Sequence, residues 1–467
     1  MQSIAKLMPH RKAHFVGIGG VGMSALAQIL LAQGYTISGS DIKAGMITQR
    51  LIHQGANIHI GHRSENVGDV DILVYSSCIT QANPEIIAAR RRKIKIVHRA
   101  VLLSLMMRNA SGIAVAGAHG KTTTTALVAL ILRKGAMDPS FAIGADVDVL
   151  NGNAHHGHGK YFVAEADESD GSFLCLEPDY AIITNIDKEH LDYYRNVKHI
   201  IDTYAQFIAK IEKKGTLFCY GEDKNIRRML RTYQGKLVTY GLNGACDMYA
   251  TGIHTRGLTS EFECVYKGTS LGRYRLQVPG KHNILNALAA VAIGCELSVP
   301  RKVVKDALEI FHGAHRRFQI KSRQGQVMIV DDYAHHPTEI TATLAAAKAC
   351  KNRRIVSVFQ PHRYSRTKFL KKEFGHCFDN ADHLIITDIY AASEAPIKGI
   401  EAKTIYREVK QGGHKNVYFL PRGKISEYLM DTVRDGDLLM MLGAGDIGNL
   451  ADELIEKLGY KQTGNVK

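Results

Sequence analysis

Lys121 and Thr122 close a glycine-rich stretch, Ala116-Gly117-Ala118-His119-Gly120-Lys121-Thr122-Thr123. Backbone N–H groups at a helix start, an ammonium and a hydroxyl are what a nucleoside triphosphate and its divalent cation require. In a phosphate loop the lysine reaches the β- and γ-phosphates and the following hydroxyl reaches magnesium. This stretch departs from the common pattern, because Val115 stands where the first glycine belongs and the nearer glycine is Gly117. Further ligands are offered by Glu165-Ala166-Asp167-Glu168-Ser169-Asp170-Gly171 and by Asp187-Lys188-Glu189-His190. Glu165 and His190 are the candidates to complete a metal site with Thr122, and a solvated acidic loop is the competing reading.

Nearer the start of the chain lies its first glycine turn, Gly17-Ile18-Gly19-Gly20-Val21-Gly22, which fits G-x-G-x-x-G. Glycines there let the backbone approach a diphosphate, and Asp41, nineteen residues after Gly22, can accept from ribose hydroxyls. The spacing admits either a nicotinamide dinucleotide or a UDP-linked sugar, and it also admits a turn needed only for close packing. The run His155-His156-Gly157-His158 could chelate a transition metal, but no acidic residue stands beside it and an exposed loop is the plainer reading. Eight scattered cysteines without a C-x-x-C pair predict reduced, mostly buried thiols.

These residues need a scaffold. Each glycine turn, including a third at residues 443–448, lies between a short apolar run and a helical pattern: residues 14–16 before 23–31, 113–116 before 123–132, and 437–442 before 449–458. That alternation predicts α/β domains with parallel sheets. At roughly 100–200 residues per domain, 467 residues make about three. Turn-forming residues put the boundaries near Asn109 and Gly313, giving units 1–109, 110–313 and 314–467, with residues 151–160 as a loop in the second.

The composition, 45% hydrophobic and 22% charged, excludes a disordered or fibrous chain. The longest apolar run, residues 287–295, is far short of the roughly 18 that suggest a membrane span. The first residues alternate apolar and basic types without an apolar core, so a cytoplasmic protein is expected. A net charge of +15 implies acidic partners: nucleic acid, an anionic membrane surface or phosphorylated small molecules. The basic run Arg90-Arg91-Arg92-Lys93-Ile94-Lys95 has no interleaved aromatics for base stacking and is placed on an exposed helical face, which disfavours a nucleic-acid-binding ATPase. A nicotinamide-dependent dehydrogenase would leave Lys121 and Thr122 without a task.

Nine motifs follow one another in order: residues 14–24, 117–125 and 165–173; Thr184-Asn185-Ile186-Asp187 with His190; Gly280-Lys281-His282-Asn283 with Asn286; Arg316-Arg317-Phe318; Asp331-Asp332-Tyr333-Ala334-His335-His336-Pro337-Thr338; Gln360-Pro361-His362-Arg363-Tyr364-Ser365-Arg366-Thr367; and Leu442-Gly443-Ala444-Gly445-Asp446-Ile447-Gly448. On these motifs the chain resembles the Mur ligase family of ATP-dependent amide-forming enzymes, related to folylpolyglutamate synthetase. Within the family it is most similar to the members that add L-alanine to UDP-N-acetylmuramate. Two small departures, Ala118 for the usual Thr and Ala334 for the usual Gly, leave the functional positions in place. Members that attach a recycled tripeptide usually carry a Cys-Gly-Thr sequence in the first turn, where this chain has Gly19-Gly20-Val21.

The resemblance implies an N-terminal Rossmann-like domain, a central P-loop ATPase-like domain with a mainly parallel sheet, and a C-terminal Rossmann-like domain that brings in the amino acid. It assigns Gly17, Ile18, Gly19, Gly20, Val21, Gly22, Asp41 and Ser77 to the UDP-sugar. Gly117, Ala118, His119, Gly120, Lys121, Thr122 and Thr123 take the ATP phosphates, His282, Asn283 and Asn286 lie on the adenine side, and Arg317 and Asp332 engage ATP across the boundary. Thr122, Glu165 and His190 hold Mg2+ or Mn2+. Arg363 and Arg366 face carboxylates or phosphates of the substrates, and His336, with His335, orients the acyl phosphate or alanine. The catalytic set so implied is Lys121, Glu165, His190, His336, Arg363 and Arg366. The expected activity lies in peptidoglycan precursor synthesis. The lactyl carboxylate attacks the γ-phosphate of ATP, and the alanine amine then displaces phosphate from the acyl phosphate. No base for that amine can be named. A monomer or weak dimer is expected, with no nucleic-acid partner.

Overall fold

The computed structural model describes residues 4–323, 327–350 and 353–460. Three sheets follow one another along the chain. In the first, strands Asn57–Ile60, Thr36–Asp41, Lys12–Val16, Ile72–Tyr75 and Lys95–His98 are neighbours in that order and all run parallel. Parallel pairing requires a crossover between successive strands, and the crossover helices cover the sheet. Helix Val21–Ala32, for instance, buries Met23, Leu26, Ile29 and Leu30.

The second sheet has ten strands. Ser111–Ala116, Tyr161–Glu165, Tyr180–Ile183, Thr216–Tyr220 and Lys236–Gly241 are parallel at its centre. Thr259–Tyr266 and Thr269–Leu276 extend one edge as antiparallel strands, and Gly152–His155 pairs antiparallel with Ser140–Val147 at the other. Helices Lys121–Lys134 and Lys281–Glu296 bury nearly every residue of their middle turns. A helix apolar all round belongs in an interior, which accounts for the apolar run at 287–295. In the third sheet Met328–Asp332, Leu438–Leu442, Ile355–Phe359, His383–Ile386 and Val417–Phe419 are parallel, and Gln319–Ser322 adds an antiparallel edge.

Two expectations change. Residues 151–160 are not wholly loop, since Gly152–His155 finds an open edge to pair with. The basic run at 90–95 is not one helical face: helix Pro84–Arg91 ends inside it, strand Lys95–His98 begins inside it, and Arg92 between them donates to the Gly68 carbonyl at 2.9 Å. No helix among the described residues is long and apolar enough to cross a membrane.

Beneath the first glycine turn lies a buried polar cluster. Glu85, wholly buried, accepts from Ser40 Oγ at 2.5 Å and from Asn66 Nδ2 at 2.6 Å, with His14 Nε2 at 3.5 Å. The Ser40 carbonyl in turn accepts from the N–H groups of Gly17 and Ile18. The carboxylate therefore anchors the strand that holds the turn. Burial would raise its pKa, but the hydrogen bonds from His14, Ser40 and Asn66 hold it down at about 2. Because the folded pKa is depressed, the stabilisation is present above the ordinary carboxyl value and is lost as pH falls toward about 2. Glu85→Gln should cost this domain about 1–3 kcal/mol at pH 7, and the difference from the parent should shrink steadily below pH 4.5. Hydrogen exchange of strand Thr36–Asp41 as a function of pH measures both.

Candidate active site

Strand Ser111–Ala116 delivers the phosphate loop and helix Lys121–Lys134 leaves it. The loop packs so tightly on its neighbours that side chains are excluded at two points. A Cβ on Gly117, whose φ is 134°, would lie 2.0 Å from Thr184 Oγ1, and one on Gly120, φ 82°, would lie 2.4 Å from Asn286 Oδ1. Thr184 and Asn185 also brace the loop by hydrogen bonds: Thr184 Oγ1 and Asn185 Nδ2 donate to the His119 carbonyl at 2.6 and 2.9 Å, and His119 N donates back to Asn185 Oδ1 at 2.9 Å. Asn185, in the motif Thr184-Asn185-Ile186-Asp187, is a loop-bracing residue that the sequence reading does not assign to the site. Its signal was its place at the end of a strand next to the loop.

Lys121 Nζ donates to the carbonyls of Gly117 and Ala118 at 2.7 and 3.2 Å and to Glu168 at 2.9 Å. Burial opposes its charge, but Glu168, Glu165 and Asp167 raise its pKa and keep it an ammonium. Thr122 Oγ1 donates to Glu165 Oε2 at 3.0 Å, and Gly144 N donates to the same oxygen at 2.9 Å. His190 faces a different carboxylate, Glu168, at 3.7 Å, and burial keeps its imidazole pKa low, so the ring is available as a neutral nitrogen donor. Glu168 Oε2 is buried without a hydrogen-bond partner. Thr122 with Glu165, and His190 with Glu168, thus form two pairs of oxygen and neutral nitrogen donors of the kinds a divalent cation takes, flanking Lys121. His119, Glu189 and His336 also bring ligand atoms within 4.8 Å of one another. There, however, Glu189 is committed to Arg366 at 3.0 Å and His119 to Asp187 at 3.0 Å. The His155 ring bonds to Asp138, which also accepts from the His158 backbone N–H, and among the described residues the run forms no group of three or more metal-ligating side chains.

Between the central and C-terminal sheets a cavity of about 430 Å³ opens beside the loop. It brings together Gly120, Thr122, Thr123, His282, Asn283, Asn286, Arg317 and Asp332, as the motifs led one to expect, and adds Asp187, Asn225, Tyr240, Thr338 and Glu339. Asn283 Nδ2 donates to the Pro279 carbonyl at 2.7 Å and Asn286 Nδ2 to Asn283 Oδ1 at 3.3 Å, which orients both amides. Asp332 accepts the N–H groups of Phe318 and Ala334 at 2.7 Å each, and burial lifts its pKa to about 6. The Arg317 guanidinium lies over the Tyr333 ring at 4.9 Å and 3.6 Å from Glu339. Burial lowers the His282 pKa to about 4. A basin of about 790 Å³ near Arg354, His383 and Tyr418 lies at the opposite, N-terminal ends of the third sheet's strands.

The two domains meet in a charged seam. Arg366 donates to Glu189 at 3.0 Å, Arg363 to Asp192 at 3.3 Å, and Thr338 Oγ1 to Asp187 at 2.6 Å. Arg363 and Arg366 thus engage carboxylates of the central domain. His336 caps helix Pro337–Lys348, its Nδ1 accepting from Thr338 N at 3.3 Å while its buried Nε2 has no partner. Burial lowers the His335 pKa to about 3.

In the first domain Gly19 N donates to Asp41 Oδ2 at 2.8 Å, so one oxygen expected for a ribose braces the turn instead. Ser77 Oγ bonds to His98 Nε2 at 2.8 Å and to Asp170 of the central domain. Arg99, which no motif pointed to, rests on Gly22 and bonds to Asp167.

His119 of the phosphate loop lies between Asp187, at 3.0 Å, and Glu339 of the C-terminal domain, at 3.2 Å. Burial would lower its pKa, but the two carboxylates raise it to about 10. The stabilisation is complete below the ordinary value of 6.5 and fades as pH rises through about 10. Histidine 15N spectra should show this ring doubly protonated to about pH 9, and Glu339→Gln should lower its titration midpoint.

Three family descriptions match successive parts of the chain: Mur ligase family, catalytic domain, over residues 12–111; Mur ligase middle domain, over 115–294; and Mur ligase, glutamate ligase domain, over 316–445. The chain is 47% identical to the UDP-N-acetylmuramate–L-alanine ligase of Geotalea uraniireducens, covering 96% of this chain and 98% of the relative. It is 46% identical to the protein of that name from Pelotomaculum thermopropionicum, covering 97% and 98%. The crystal structure of UDP-N-acetylmuramate-alanine ligase from Thermotoga maritima superposes with a TM-score of 0.83 at 30% identity, over 96% of this chain and 99% of that one. A murein peptide ligase from Psychrobacter arcticus shares the fold, with a TM-score of 0.73 at 23% identity over 96% and 98%.

Proposed function

The chain belongs to the Mur ligase family, and on that premise we propose that it joins L-alanine to the lactyl carboxylate of UDP-N-acetylmuramate while ATP is converted to ADP and phosphate. The observation that carries this reading is a largely buried, charged Lys121 in a glycine-rich loop that borders a cavity lined on one side by the C-terminal domain. The cavity takes the nucleotide, with its phosphates on the loop and its adenine toward His282, Asn283 and Asn286. Residues 1–109 bind the UDP-sugar, 110–313 the ATP and 314–467 the amino acid.

In the first step a carboxylate oxygen attacks the γ-phosphorus and the bond to the β-phosphate oxygen breaks, giving an acyl phosphate and ADP. Two anions must meet, so preorganised positive charge is the main requirement. Lys121, the protonated His119 and Arg317 provide it around the loop. Thr122, Glu165 and His190 would hold a divalent cation, Mg2+ or Mn2+, whose charge screens the phosphates. In the second step the alanine nitrogen attacks the acyl carbon, the bond to phosphate breaks, and the amine releases a proton. Arg363 and Arg366 orient the alanine carboxylate, and neutral His335 and His336 line the approach. The reaction is a step of peptidoglycan precursor synthesis, and the enzyme works in the cytoplasm as a monomer or weak dimer.

Phosphate release from ATP should require both UDP-N-acetylmuramate and L-alanine. Release that ignores the UDP-sugar overturns the assignment. Lys121→Ala should lower turnover by about 10³-fold or more while leaving UDP-sugar binding, measured by calorimetry, within about twofold.

A further inference from the structure

We propose that Arg99 is a binding residue for the diphosphate of the UDP-sugar, a role that rests on the function proposed above. The first glycine turn spends much of its own hydrogen-bonding capacity internally. Gly17 N and Ile18 N donate to the Ser40 carbonyl, Gly20 N to the Gly17 carbonyl, and Gly19 N to Asp41. Residues 17–22 carry no charged side chain, and Asp41 places a carboxylate on the turn. A diphosphate drawn to the start of helix Val21–Ala32 would meet the N–H groups of Val21, Gly22 and Met23, but no cation on the turn itself and an opposing negative charge. The compensating cation has to come from another element.

Arg99 supplies it. It opens helix Arg99–Met107, directly after strand Lys95–His98 at the edge of the same sheet. Its Nη1 lies 3.1 Å from the position a Cβ on Gly22 would occupy, so the guanidinium rests against the last glycine of the turn. Its other amino group, Nη2, donates to Asp167 of the central domain at 2.5 Å. The side chain is 21% exposed, open enough for a ligand on the turn to reach its remaining edge. A planar guanidinium can bind a carboxylate through one nitrogen and a phosphate through another, and the Asp167 bond fixes the plane in which it does so. Asp167 lies next to Glu168, which holds Lys121, so the same bond ties the sugar-nucleotide site to the phosphate loop.

The test is calorimetric titration with UDP, which carries the diphosphate but neither the sugar nor its carboxylate. Arg99→Ala should weaken UDP binding tenfold or more and leave ATP binding within about twofold, because lost phosphate contacts of this kind act locally. Arg99→Lys should fall between the parent and Arg99→Ala, and carries the test alone if Arg99→Ala does not fold. Asp167→Asn breaks the same ion pair but keeps the guanidinium, and should lose clearly less UDP affinity than Arg99→Ala. Equal losses for Asp167→Asn and Arg99→Ala would make Arg99 a strut between domains and overturn the proposal. Loss of UDP-N-acetylmuramate affinity alone, with UDP unaffected, would place Arg99 on the sugar carboxylate and overturn it as well. If the unmodified protein bound no UDP, the function proposed above would fail with it; normal UDP binding to both parent and Arg99→Ala would refute Arg99 alone.

Discussion

The ammonium of Lys121 is buried, and much of the surrounding structure exists to keep it charged and aimed. It lies against two carbonyls of its own loop and a carboxylate from the segment after strand Tyr161–Glu165. An isolated buried ammonium would discharge. Three acidic residues at this strand end, Glu165, Asp167 and Glu168, hold the proton. The loop can bend around the ammonium only because Gly117 and Gly120 adopt positive φ and present no side chain to Thr184 and Asn286. Sheet, loop and second helix are thus coupled through one close contact.

From that centre, charge spreads outward in alternating layers. His119 is protonated between Asp187 and Glu339, and Arg366 is paired with Glu189. These pairs join side chains from the central domain to side chains of the C-terminal domain, so the same electrostatics that prepares the site for anions also closes it. Lys121, His119, Arg317, Arg363 and Arg366 each already have a protein carboxylate. A substrate anion arriving there competes with, or shares, a partner in place, which lowers the cost of leaving the cations buried between turnovers.

The +15 charge takes on a more local meaning in this light. The run at 90–95 divides between a helix end, a turn and a strand, and Arg92 is spent on backbone carbonyls. A few cations instead pair across the domain boundaries: Arg99 with Asp167, Arg363 with Asp192 and Arg366 with Glu189. They are far apart in sequence, and no count of Lys and Arg would have selected them.

Much was legible before any coordinates. Glycine turns between strand and helix patterns are local signals, because a phosphate-binding backbone needs residues without side chains at fixed spacing. The alternation of elements is equally local, and so α/β sheets could be read directly from residue periodicity. The nine motifs marked part of the cavity lining, among it Gly120, Asn283, Asn286, Arg317 and Asp332, but not Asn225, Tyr240 or Glu339. What the order of residues does not encode is partnership across space. That Asp41 braces Gly19, that Arg363 and Arg366 meet Asp192 and Glu189, that His119 is shared by two carboxylates, and that Arg99 lies on Gly22 are consequences of sheets packing and domains closing. Charge pairing and desolvation depend on distances of a few ångströms between residues up to 220 positions apart, as in His119 and Glu339. Only the tertiary structure sets those distances.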